Sequence, residues 1–114
     1  MNEFRKFKIE IFIPAEHVDA LREALARAGA GEIGKYDHCC SVMDVRGYWR
    51  PLEGADPFQG EVGQVEQGME CKVEVNCRRE RVEAVLKAIR EVHPYEQPVV
   101  NVIPLANHLF DAEE

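Results

Sequence analysis

The sequence predicts an α+β fold, a four-stranded antiparallel sheet with two helices on one face. Three observations predict it. The chain repeats itself at an offset of 64 residues, which pairs Ile9 with Val73, Ile11 with Val75, Ile13 with Cys77, Val18 with Val82 and Leu21 with Val85. Each half opens on a segment that alternates apolar and polar, the period of a half-buried strand. In the first, Phe7, Ile9, Ile11 and Ile13 alternate with Lys8, Glu10 and Phe12; in the second, Met69, Cys71, Val73, Val75 and Cys77 alternate with Glu70, Lys72, Glu74 and Asn76. Each strand then gives way to a helical stripe, Val18, Leu21, Leu25 and Ala28 in one half and Val82, Val85, Leu86, Ile89 and Val92 in the other.

The remaining elements follow in order. Gly29 and Gly31 end the first helix, and Pro94 ends the second. Residues 36–46 read as a strand, with Cys39, Met43 and Val45 on one face and His38, Cys40 and Val42 on the other. Residues 97–105, rich in valine and isoleucine, supply the last strand. The order β-α-β, long insertion, β-α-β is that of the ferredoxin-like split β-α-β. Right-handed crossovers make its halves superimposable, so the repeat stays visible.

A length of 114 residues predicts one domain over 1–114, with a core at about 5–105. A formal charge of −7 argues against a nucleic-acid surface, which needs concentrated basic residues. No apolar run approaches the ~20 residues that cross a bilayer. Met1 to Phe7 lacks the apolar core of a signal peptide, so a cytoplasmic protein is expected. None of the four cysteines stands in a C-x-x-C spacing, and reduced thiols are expected. His17 and His108 read as solvent-exposed, and residues 106–114 as a frayed acidic tail.

Two segments stand outside the regular pattern. The loop 47–68 is too long for a simple hairpin turn, yet it carries Tyr48, Trp49, Leu52 and Phe58, which need covering. The open sheet face, expected to hold Phe12, Val42, Val100 and Val102, needs covering as well, and self-association would bury both. The hexapeptide His93-Pro94-Tyr95-Glu96-Gln97-Pro98 places an imidazole, a phenol and a carboxylate between two prolines. Proline fixes its own φ and biases the preceding residue toward extended backbone, so these side chains sit on a stiff connection. The turn is expected to serve the fold first, with Tyr95 packed and Glu96 accepting backbone N–H groups.

Three motifs, in order, carry a resemblance: Ile33-Gly34-Lys35-Tyr36-Asp37-His38-Cys39, the run from Trp49 to Phe58, and His93 to Pro98. Together they resemble the inserted domain of the Nif-three-like family, the YqfO/YbgI group of GTP cyclohydrolase type 2 homologues. That insert is similar in fold to CutA and PII-like proteins, which are commonly trimeric. The resemblance implies a stand-alone version of the insert, without the flanking domain that holds the family's two-metal site. Cys40 and Gln97 depart from the family's usual pattern, and Gln97 removes a carboxylate from the turn. The implied function is a non-catalytic homo-oligomeric module, trimer favoured over dimer, with a small ligand or a divalent transition metal bound at a subunit interface. No catalytic residue is assigned. The candidate ligand-binding residues are Arg46, Trp49, Arg50, Glu53, His93, Tyr95 and Glu96. His38, Cys40 and His93 are the candidate metal ligands, since imidazole and thiolate suit such ions. The alternatives are an assembly subunit for a separate catalytic chain and a metal-dependent enzyme around His38 and His93.

Overall fold

A computed structural model describes residues 4–110 and 112. Four strands, β1 (Lys6–Ile13), β2 (Ser41–Trp49), β3 (Glu66–Arg78) and β4 (Val100–Leu105), form one sheet in the order β2-β3-β1-β4. Every neighbouring pair is antiparallel. Helices α1 (Val18–Arg27) and α2 (Val82–Val92) follow β1 and β3, each entered through a 3-10 turn, Ala15–His17 and Arg79–Arg81. The expected ferredoxin-like architecture is the one observed, and the 64-residue repeat holds down to the first residue of each helix.

Alternation decides what is buried. Ile9, Ile11 and Ile13 of β1 and Val73 of β3 are fully enclosed with Leu21 of α1 and Val85 and Ile89 of α2. Each such side chain contributes roughly 1.5–3 kcal/mol relative to exposure. At the end of α1, Gly29 takes φ +96° and the Ala30 N–H reaches the Leu25 carbonyl at 3.0 Å. Glycine adopts that left-handed conformation without a Cβ penalty, and the wrap closes the helix.

The open face of the sheet is not the apolar surface expected. Val42 pairs with Val73, Val100 with Ile11 and Val102 with Ile9, so all three share the helix-facing side; only Phe12 is on the open side. There, Lys72 Nζ lies 3.3 Å from both Glu10 and Glu74, and Lys8 Nζ lies 3.5 Å from Glu74. Burial of apolar surface therefore cannot be the reason for covering the middle of this face.

The exposed apolar groups lie elsewhere. β1 reaches only as far as Cys71 of β3, so Glu66–Glu70 pair with β2 alone and form a two-stranded arm with Val45–Trp49. Tyr48, Val65 and Met69 are each more than 60% exposed on or beside it. The arm stretches the molecule to 48 × 31 × 22 Å with a radius of gyration of 15.6 Å, against about 13 Å for a compact chain of this length.

Four boundaries differ from those expected. β4 starts at Val100 rather than 97, so the turn after α2 runs on past Pro98 before the strand begins. β2 starts at Ser41 rather than 36, because His38 takes φ +60° and interrupts the extended backbone. It runs on to Trp49, and β3 begins at Glu66, so the connection is shorter than 47–68. The C-terminal stretch is ordered into a 3-10 turn at Asn107–Phe110, with His108 edge-on to Phe4 at 6.0 Å. Asp111, Glu113 and Glu114 of the acidic tail lie outside the described residues.

Candidate functional site

At the base of the arm, on the open side of the sheet, the loop after β2 folds back over the strands. Trp49 anchors it. The indole packs over Gly68 and donates from Nε1 to the Gln59 carbonyl at 3.1 Å. The Gly63 N–H reaches the Pro51 carbonyl at 2.8 Å, and Pro51 is buried. From the other side the turn after α2 meets this loop, where Glu96 Oε1 accepts the Asp56 N–H at 2.9 Å. Phe58 lies between Tyr95, at 5.8 Å between ring centroids, and His17, at 6.2 Å. His17, expected in open solvent, is thus half-covered by the loop.

These contacts enclose a cleft of about 600 Å³. Trp49, Arg50, Tyr95 and Glu96 of the expected ligand-binding set line it, together with Phe12, Tyr48, Phe58 and Glu70. Arg46, Glu53 and His93 do not line it. Arg46 is drawn to the helix-facing side of β2, where it pairs with Met69. Glu70 escaped the sequence reading because alternation marks it only as a solvent-side strand residue. Gly47 makes its place: the Glu70 carboxylate occupies the space that a Cβ there would need. Glu70 Oε1 accepts the Tyr95 hydroxyl at 3.0 Å. Burial, with the Glu70 carboxylate beside it, pushes the Tyr95 phenol well above its ordinary range, which keeps it a neutral donor.

His93 is held between two backbone groups. Its Nε2 lies 2.6 Å from the Phe12 carbonyl and therefore carries the proton; its Nδ1 accepts the Tyr95 N–H at 3.2 Å. Burial lowers its pKa, partly offset by the bond to Phe12, and favours the neutral ring. With both nitrogens engaged, His93 offers a metal no lone pair in this arrangement. It serves as a clamp that ties the turn after α2 to the end of β1.

The three expected metal ligands are not brought together. His38 and Cys40 line a small hollow beside Arg22 and Leu25 of α1, whereas His93 stands at the end of β1. Cys39 lines the same hollow as His38 and Cys40, so the expected separation onto opposite faces does not hold; the left-handed residue at 38 breaks the alternation. Among the described residues, no three His, Cys, Asp or Glu side chains group to hold a metal ion. All four cysteines are free thiols, and burial pushes Cys77 up to about 11.

Comparison with known proteins agrees with this architecture. The family model described as CutA1 divalent ion tolerance protein matches residues 61–111. A GTP cyclohydrolase 1 type 2 homolog of Halalkalibacterium halodurans is 41% identical over 101 residues, which is 89% of this chain and 27% of that protein. The crystal structure of a Bacillus cereus protein related to NIF3 superposes with a TM-score of 0.81 at 34% identity, covering 94% of this chain and 27% of that one. The PII-like protein CutA from Nostoc sp. superposes with a TM-score of 0.67 at 19% identity, covering 90% and 84%, a likeness of fold. The chain spans about a quarter of the length of the curated relatives it matches. Over nearly its whole length, then, the chain is related to one segment of the Nif-three-like proteins, and it has the CutA/PII-like fold.

Proposed function

We propose that this chain is a non-catalytic, homo-oligomeric module of the cytoplasm that binds a small organic molecule in the cleft between the Trp49 loop and the Tyr95 turn. The cleft itself carries the reading: about 600 Å³, bordered by aromatic rings with a few polar groups between them, within the range usual for small-molecule sites. The exposed apolar residues of the arm support self-association, and the resemblance to CutA and PII-like proteins favours three copies. No described helix is long and apolar enough to cross a membrane. A metal-dependent reaction around His38 and His93 finds no support in the geometry, because the two stand apart and His93 is clamped. The assembly alternative draws on the same arm, whose apolar surface would equally suit a catalytic partner.

Two measurements on the purified chain test the proposal. Light scattering at micromolar concentration is expected to give a multiple of the chain mass. Because Trp49 is the single tryptophan and lines the cleft, its emission reads out a small-molecule screen there at a fixed protein concentration. A saturable response with a raised unfolding temperature supports the reading. A monomer that answers to no small molecule overturns it.

A further inference from the structure

Resting on that reading, we infer the chemical class of the ligand: a small organic cation with a flat apolar body. Aromatic residues dominate the border of the cleft. Phe12, Trp49, Phe58 and Tyr95 line the open side, and aromatic faces attract cations through their quadrupoles, as the Phe12 ring already does the Lys72 ammonium 5.9 Å from its centroid. The polar groups point the same way. The Trp49 N–H and the Tyr95 hydroxyl, two donors on the inner wall, are already engaged within the protein, with Gln59 and Glu70.

Acceptors remain. Glu70 uses Oε1 for Tyr95, and Glu96 uses Oε1 for the Asp56 N–H. A carboxylate has about four lone-pair sites, so each retains capacity for a donor brought by the ligand. Among the described residues that line the cleft, Arg50 is the one cationic residue set against these two carboxylates, and its side chain is exposed. The chain's formal charge of −7 attracts cations at longer range. An anion would meet two carboxylates, with the Trp49 N–H and the Tyr95 hydroxyl engaged and only the exposed Arg50 as a cationic partner in the lining. A neutral aromatic would fill the space and leave the acceptors without a partner.

Three probes of matched size separate these cases: phenethylammonium, 2-phenylethanol and phenylacetate, each titrated against Trp49 emission in low salt. The cation is expected to bind about tenfold more tightly than the alcohol, and phenylacetate more weakly than both. Glu70→Gln keeps an acceptor for Tyr95 and should reduce the preference to about threefold or less. Glu96→Gln should reduce it independently, with circular dichroism showing both variants folded. Equal or tighter binding of the alcohol or phenylacetate overturns the cation inference and leaves the cleft standing as a ligand site. An undiminished preference in both variants also overturns it. No saturable response to any probe removes the site itself, and the inference with it.

Discussion

Replacing His93 with alanine should damage the fold before it damages any binding. The substitution deletes the bond from Nε2 to the Phe12 carbonyl and the bond from the Tyr95 N–H to Nδ1. It also deletes a ring contact with Tyr95 at 4.8 Å between centroids. A net intramolecular hydrogen bond is worth about 0.5–1.5 kcal/mol, and an aromatic pair about as much beyond its area. His93 is only half-buried, so the lower half of each range applies and the loss comes to about 1.5–3 kcal/mol. For a chain of this size that is roughly 6–15 °C in unfolding temperature. His93→Gln, whose amide can still donate toward Phe12, should recover part of it. Thermal unfolding followed by circular dichroism gives the answer. A midpoint unchanged within error in His93→Ala, accompanied by loss of a bound metal, would show that the ring is a ligand and that the clamp was misread.

The same ring predicts a pH dependence. Burial holds the folded pKa of His93 below its ordinary 6.5, so the unfolded chain takes up the proton more readily than the folded one. Its contribution is complete above pH 6.5 and drains away as pH falls from there to the folded pKa; His93→Gln should flatten that part of the stability–pH curve. Met69→Asp, on the exposed arm, should shift the light-scattering mass toward monomer with the far-ultraviolet spectrum intact, and an unchanged mass would clear the arm of any role in assembly. Gly47→Ala sets a methyl against the Glu70 carboxylate; stability should change by less than about 1 kcal/mol while the Trp49 response to ligand weakens. Gly68→Ala places its methyl 3.4 Å from the Trp49 ring, an ordinary contact, and should leave both nearly unchanged.

The fold was legible because its signals are local and repeated. Alternation in β1 and β3, two helical stripes and one 64-residue repeat all describe the same backbone, and the structure follows them. β2 was harder, since its outer half belongs to an arm with no helix behind it and its residues alternate around no core. One left-handed residue, His38, moved the start of that strand and undid the expected facing of Cys39 and Cys40. A side chain that can adopt αL leaves no periodic trace. The border of the candidate cleft was legible in part: Trp49, Tyr95 and Glu96 stood out as aromatic or charged groups in stiff, irregular segments. Glu70 did not, because its role depends on the neighbouring strand carrying Gly47. For His93, composition cannot convey which atoms its two nitrogens face, here the Phe12 carbonyl and the Tyr95 N–H.

The ligand cleft is tested most directly by nuclear magnetic resonance, titrating phenethylammonium into the isotope-labelled chain. The single indole N–H of Trp49 gives one isolated signal. Saturable shifts at that signal and at the amides of Phe12, Phe58, Glu70 and Glu96, with Cys39 and Cys40 unmoved, are the predicted result. Shifts centred on His38 to Cys40, or none at Trp49 up to saturation elsewhere, would place the binding chemistry on the other side of the sheet and contradict the account.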